Sequence, residues 1–162
     1  MDIKHDASLT PTNLPSVKEQ IVSIVFGENG PPFRISLNRQ TKCLNPLPYS
    51  VLFVVIARFQ YSTSDHWPKG VEFTEKCSAL WKEIDPKRYR ESSRDPEKIW
   101  AGWIDQTRKE LRKVFPSVCE YDLLPDGKKA RRDGLCPRLS LNCVITGVDR
   151  PIWSSSRVTT AA

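Results

Sequence analysis

The side chains most able to do chemistry in this sequence are cations in two clusters. Arg108, Lys109, Arg112 and Lys113 stand close together with Glu110 as the only acid among them, and Lys128, Lys129, Arg131 and Arg132 follow in a second short run. Closely spaced Lys and Arg attract phosphates, because each contact releases counterions condensed on a polyanion and each Arg offers a planar fork of donors. Other chemistries have less to stand on. There are two histidines, His5 and His66, and no Gly-rich phosphate loop, HExxH or GxSxG. Cys43 and His66 have no spacing that supports a nucleophile and base. We therefore expect binding rather than catalysis, with no catalytic residues and no cofactor.

The five cysteines, Cys43, Cys77, Cys119, Cys136 and Cys143, are odd in number and form no CxxC pair. Structural zinc calls for four ligands in close pairs. Cys119, Cys136 and Cys143 lack a fourth partner, so packing thiols are expected and no metal. The start, MDIKHDASLTPT, is polar, and the longest apolar run, Val51 to Ala57, is too short to span a bilayer. Those features imply a cytoplasmic protein with reduced thiols and no membrane partner.

Charge is distributed unevenly. Residues 1–85 hold nine Lys/Arg and nine Asp/Glu, whereas residues 86–150 hold fifteen and ten, so most of the net charge of +6 belongs to the second half. That asymmetry points to a polyanionic partner. With 162 residues and 39% hydrophobic content the chain suits one domain, read as 17–147, between a disordered arm 1–16 and a flexible tail 148–162.

The cation clusters need elements to position them. Asp95 to Phe115 reads as an amphipathic helix: Asp95 is an N-cap, Pro96 fits the first turn, and Pro116 ends it. At 100° per residue, Ile99, Trp100, Trp103, Ile104, Leu111, Val114 and Phe115 share one arc, and Lys98, Asp105, Arg108, Lys109, Arg112 and Lys113 share the other. Upstream, IVSIVF and FRISLNR flank the turn sequence GENGPP and predict an N-terminal β-hairpin over Val17 to Gln40. Leu44 to Gln60 predicts a helix rather than a strand, from its length and the opening Asn45-Pro46. Phe73 to Ile84 predicts a second helix capped by Thr74, with Phe73, Cys77, Leu80, Trp81 and Ile84 on one face. Downstream, CEYDLL and CPRLSLNCVI alternate as strands around PDGKKARRDG, which predicts a β-hairpin with the second cation cluster at its tip.

The order is strand hairpin, helix, helix, basic helix, basic hairpin. It resembles the winged helix-turn-helix effector domain, the C-terminal DNA-binding domain of bacterial response regulators. Leu44-Asn45-Pro46-Leu47-Pro48-Tyr49-Ser50-Val51-Leu52 looks like that family's Leu-Thr-Pro-x-Glu-Phe-x-Leu-Leu, Leu80-Trp81 like its Leu…Trp, and Ile104-Asp105-Gln106-Thr107-Arg108-Lys109-Glu110-Leu111 like its Ile-x-x-Leu-Arg-x-Lys-Leu. The sequence departs from the pattern at Thr107 and Glu110, and Pro137-Arg138-Leu139 stands where Gly-Tyr-Arg is usual.

The resemblance implies an α+β fold with an N-terminal β-hairpin, three helices and a C-terminal β-hairpin wing, and a transcriptional regulator that binds double-stranded DNA. Helix 95–115 would enter the major groove. Arg108 would read guanine, Gln106 or Asp105 would read neighbouring edges, Lys109, Arg112 and Lys113 would meet phosphates, and Lys98 would belong to the same DNA-binding face. The segment 126–134, with Lys128, Lys129, Arg131 and Arg132, would be the wing. The alternative from another class is a winged-helix module that binds a protein partner and no DNA, with Trp67 and Trp153 as contact anchors.

Overall fold

The apolar run Val51 to Ala57 forms the middle of a helix that is buried on every side. The computed structural model describes residues 21–28, 30–61, 69–90, 94–116, 123–137, 139 and 142–148. The expected arm 1–16, His66, Trp67, Cys119 and Trp153 lie outside those residues, as does the expected tail apart from Val148, which is buried in the core. In chain order the elements are β1 (Ser23–Phe26), β2 (Arg34–Leu37), β3 (Gln40–Cys43), α1 (Pro46–Tyr61), α2 (Gly70–Ile84), α3 (Pro96–Val114), α4 (Gly127–Asp133) and β4 (Val144–Thr146). The fold is α+β, and among the described residues it holds four helices and one four-stranded mixed sheet, ordered β3-β2-β1-β4.

The N-terminal hairpin is present: β1 and β2 are antiparallel, with Ile24 opposite Leu37 and Phe26 opposite Ile35. Those four side chains are all buried, as strand alternation requires of one covered face. The sheet then continues into β3, a strand that local sequence pattern does not announce. Asn38 and Arg39 make the tight link at φ 48° and 74°. The usual marker for such a turn is a glycine, and Arg39 stands in its place. Asn38 does a second job, since its Oδ1 accepts the amide N–H groups of Val22 (2.8 Å) and Ser23 (3.1 Å).

The helix α1 begins as expected, with the Asn45 carbonyl accepting from the Tyr49 N–H at 3.0 Å. One side takes the sheet, where Phe26 meets Tyr49 and Phe53 edge-on at centroid distances of 5.6 and 5.2 Å. The helices α2 and α3 pack against α1 and against each other. Each fully buried Val, Leu, Ile or Phe on α1 contributes roughly 1.5–3 kcal/mol. The helix α2 starts earlier than expected, at Gly70 with Lys69 as N-cap. Thr74 is not its cap: one turn inside the helix, its hydroxyl donates to the carbonyls of Gly70 (3.0 Å) and Pro96 (3.1 Å).

Where the C-terminal hairpin wing is expected, the described residues hold a helix and one strand, and residues 119–122 of the expected strand CEYDLL lie outside them. Gly127-Lys-Lys-Ala-Arg-Arg-Asp133 forms α4: Asp126 accepts from the Lys129 N–H at 2.8 Å, and Gly134 ends the helix at φ 86°. An N-cap Asp, good helix formers and a terminal Gly all favour this outcome over a turn. The strand β4 pairs parallel with β1 instead, Ile145 beside Ile24. Gly147 follows at φ 87°, where a Cβ would collide with the Phe26 carbonyl, so only glycine lets the chain pass so close to β1.

Tyr49 gives the core a titration signature. Its hydroxyl donates to the Gly27 carbonyl at 3.2 Å, and burial pushes its pKa from 10.0 up to about 12. A phenol raised in the folded state stabilises it fully below the unfolded value and loses that contribution as pH climbs through the folded one. Tyr49→Phe is expected to cost about 1 kcal/mol at neutral pH, with the gap to wild type narrowing above roughly pH 10, read by urea unfolding at several pH values.

Candidate nucleic-acid interface

The helix α3 is built as its ends dictate. Asp95 accepts from the Glu97 N–H at 3.0 Å, Pro96 opens the first turn, and the Phe115 N–H closes on Leu111 O at 2.7 Å. Its buried arc is Ile99, Trp100, Ala101, Ile104, Thr107 and Leu111. Thr107 is fully buried with its hydroxyl donating to Trp103 O at 2.8 Å, so this polar side chain sits in the core without an unmet donor.

The opposite arc is open to solvent and carries Lys98, Gly102, Asp105, Gln106, Lys109, Arg112 and Lys113. Lys98 to Lys113 spans about 22 Å of helix. The helix α4 packs alongside, and its exposed Lys128, Lys129, Arg131 and Arg132 extend the basic surface. The two sequence clusters are thereby brought together, helix beside helix.

Two of the residues expected to read bases are tied down internally. The Arg108 Nε donates to the Leu124 carbonyl at 3.1 Å, and Asp105 Oδ1 accepts from the Gly127 N–H at 2.9 Å. Both bonds hold the start of α4 on α3. The fit is close: a Cβ on Gly127 would come within 2.9 Å of Asp105 Oδ2 and 3.2 Å of Ala101 O. Gln106 remains exposed. Glu110 is also engaged, accepting from the Asn45 backbone N–H and Nδ2, both at 2.7 Å, which joins α3 to the start of α1.

Most acids of this surface have internal partners. Asp95, Asp105 and Asp126 bind backbone N–H groups, Glu110 binds Asn45, and Asp133 pairs with Arg132 at 3.2 Å. By contrast, the side chains of Lys98, Lys109, Lys113 and Arg131 make no hydrogen bond or ion pair among the described residues. One end of the surface opens into a cleft of about 460 Å³ lined by Lys69, Gly70, Glu97, Lys98, Trp100 and Arg131. Lys69 was invisible as a site residue in the sequence, where it stands alone in a loop.

The four described cysteines are free thiols. Cys77 is buried and its thiol pKa is pushed well above the usual value by burial, as befits a packing residue; Cys136 and Cys143 are shifted the same way by partial burial. Among the described residues no three His, Cys, Asp or Glu side chains are placed to share a metal ion, and no helix is long and apolar enough to cross a membrane.

No family model matches the chain, and no curated protein or solved structure matches it either. What the geometry itself defines is an α+β protein with a basic surface made by two adjacent helices.

The Asp126 cap supplies a pH test of that surface. Its pKa lies below the usual 3.8, first because the Lys129 N–H bonds the carboxylate and then because Arg108 and Lys128 stand near. A carboxylate depressed in the fold stabilises it above the unfolded pKa and loses that as pH falls through the folded value. The Lys129 amide proton is therefore expected to shift on acidification below about pH 4 as α4 loosens, and Asp126→Asn should remove that step while keeping an acceptor at the cap, both followed by NMR.

Proposed function

We propose that this chain binds double-stranded DNA through the α3–α4 face and acts as a transcriptional regulator of the winged helix-turn-helix kind. In this reading α2 and α3 are the helix-turn-helix pair, and α4 takes the place of the wing. The observation that carries it is the row of cations on α3, Lys98, Lys109 and Lys113, left without acidic partners along one solvent-facing side. A helix of ordinary width fits the major groove, and such a row then lies along the phosphate walls. Lys128, Lys129 and Arg132 on α4 reach the flanking backbone.

The internal ties of Asp105 and Arg108 shape the specificity. With both committed to α4, direct reading of base edges falls to Gln106, and most of the affinity comes from phosphates. Binding is then strongly salt-dependent and only weakly selective for sequence. Removing Lys109 and Lys113 together by alanine substitution is expected to lower the slope of log K against log salt by about 2, near one unit for each phosphate no longer neutralised. A fluorescence anisotropy series on a labelled duplex measures it, with a Lys128/Lys129/Arg132→Ala variant beside it as a test of α4. Absence of binding at low salt would overturn the reading.

In that event the protein-binding alternative takes over, and it has one observation of its own. Val25 and Val144 are 41% and 60% exposed on neighbouring strands of the sheet, turned away from the helices.

A further inference from the structure

The cleft at the end of the basic surface draws its cations from three separate parts of the fold. Lys69 precedes α2, Lys98 lies in the first turn of α3, and Arg131 is on α4. The Lys69 ammonium donates to the Arg131 backbone carbonyl at 3.1 Å, which fixes α4 against the start of α2 and leaves two of its three N–H groups to point elsewhere. The Arg131 guanidinium and the Lys98 ammonium have no hydrogen bond or ion pair among the described residues. Gathering three like charges around one cavity raises the energy of the empty site, and an anion shared between them lowers it.

The remaining walls fit the same ligand. Trp100, only 3% exposed, gives the cleft a rigid side. Glu97 is the one acid in the lining, and its carboxylate lies over Gly70, where an added Cβ would stand 2.7 Å from Oε2. The lining is thus doubly positive overall, which matches a phosphate dianion. Its volume of about 460 Å³ falls within the roughly 300–1,000 Å³ of small-molecule sites, so a phosphate and part of what carries it both have room.

We propose that this cleft is a phosphate-binding site, in which the Arg131 fork and the ammonium groups of Lys98 and Lys69 hold one phosphate group. The phosphate belongs either to a small phosphorylated compound or to a nucleic-acid strand. The site shares Lys98 with the cation row of α3, but its convergence with Lys69 and Arg131 does not depend on the reading of α3 as a DNA-binding helix.

The test is a titration of the full chain with inorganic phosphate and with pyrophosphate, each at constant ionic strength against chloride. It is followed by the NMR signals of the Gly70 amide and the Trp100 indole. Saturable binding is expected. Arg131→Gln, an exposed position where melting temperature should not change, is expected to weaken it roughly tenfold or more, the scale of removing one charge-assisted hydrogen bond. Glu97→Gln should strengthen it, and Lys42→Ala on the outer strand β3 should leave it unchanged. No saturation at millimolar phosphate, or equal affinity in wild type and Arg131→Gln, would overturn the proposal.

A competing DNA duplex then separates the two sources. Displacement of bound phosphate identifies a backbone phosphate as the occupant. Retention of phosphate in the presence of duplex identifies a free phosphorylated compound, and in that case the cleft stands whether or not the DNA-binding reading does.

Discussion

The whole arrangement depends on one constraint: α1 has no side that water can touch from Val51 to Ala57. A helix that is apolar all round is stable only with neighbours on every side. The sheet covers one side with Phe26, Phe33, Ile35 and Leu37, and α2 and α3 cover the rest. That requirement fixes which way α3 faces. Trp100, Ile104 and Leu111 must turn toward the core, so the lysines on the opposite arc turn to solvent. The orientation of the basic row is a by-product of keeping α1 dry, and the Asn45–Glu110 bonds set its position along α1.

Charge on the α3–α4 surface is sorted by hydrogen bonding rather than by composition. The segment contains acids in fair number, yet the structure turns three of them to helix N-termini, where free N–H groups and the helix dipole favour a carboxylate. Asp105 is the instructive case, because it caps a different helix from the one that carries it. These carboxylates stay exposed and charged, but their bonds hold them at fixed places, and Lys98, Lys109 and Lys113 are left without acidic partners among the described residues. The Asp105–Gly127 bond joins the two helices and the Arg108–Leu124 bond ties down the segment leading into α4, so the surface is one unit and not two independent patches.

The helices that carry strong end signals were legible in the sequence. Asp95-Pro96 and the arc from Ile99 to Leu111 led directly to α3, and the β-branched run IVSIVF led to β1. The failures share a physical cause: they occur where a local signal had two meanings or none. Asp126-Gly127 is as good a hairpin turn as it is a helix start, and the Lys/Arg/Ala run that follows decided for the helix. The Asn38-Arg39 turn lacks the glycine that would advertise it. At the candidate site, the cations Lys98, Lys109 and Lys113 could be placed from helical periodicity, whereas the engagement of Arg108 and Asp105, and the presence of Lys69 beside Arg131, arise from tertiary contacts that no local pattern encodes.

The parallel pairing of β4 with β1 joins Val144 to Ser23, from opposite ends of the described chain. A parallel neighbour cannot be reached by a tight turn, and here the connection runs through β2, β3 and the four described helices. The entropic penalty of so long a closure grows only logarithmically, about 0.6 kcal/mol per doubling, but the pairing itself is strongly non-local. During synthesis β1 therefore emerges long before its partner, and until then its outer edge is an unpaired ladder of N–H and C=O groups open to other strands. The short strand β4 serves as a latch: three residues, added late, pair the side of β1 that the hairpin leaves open.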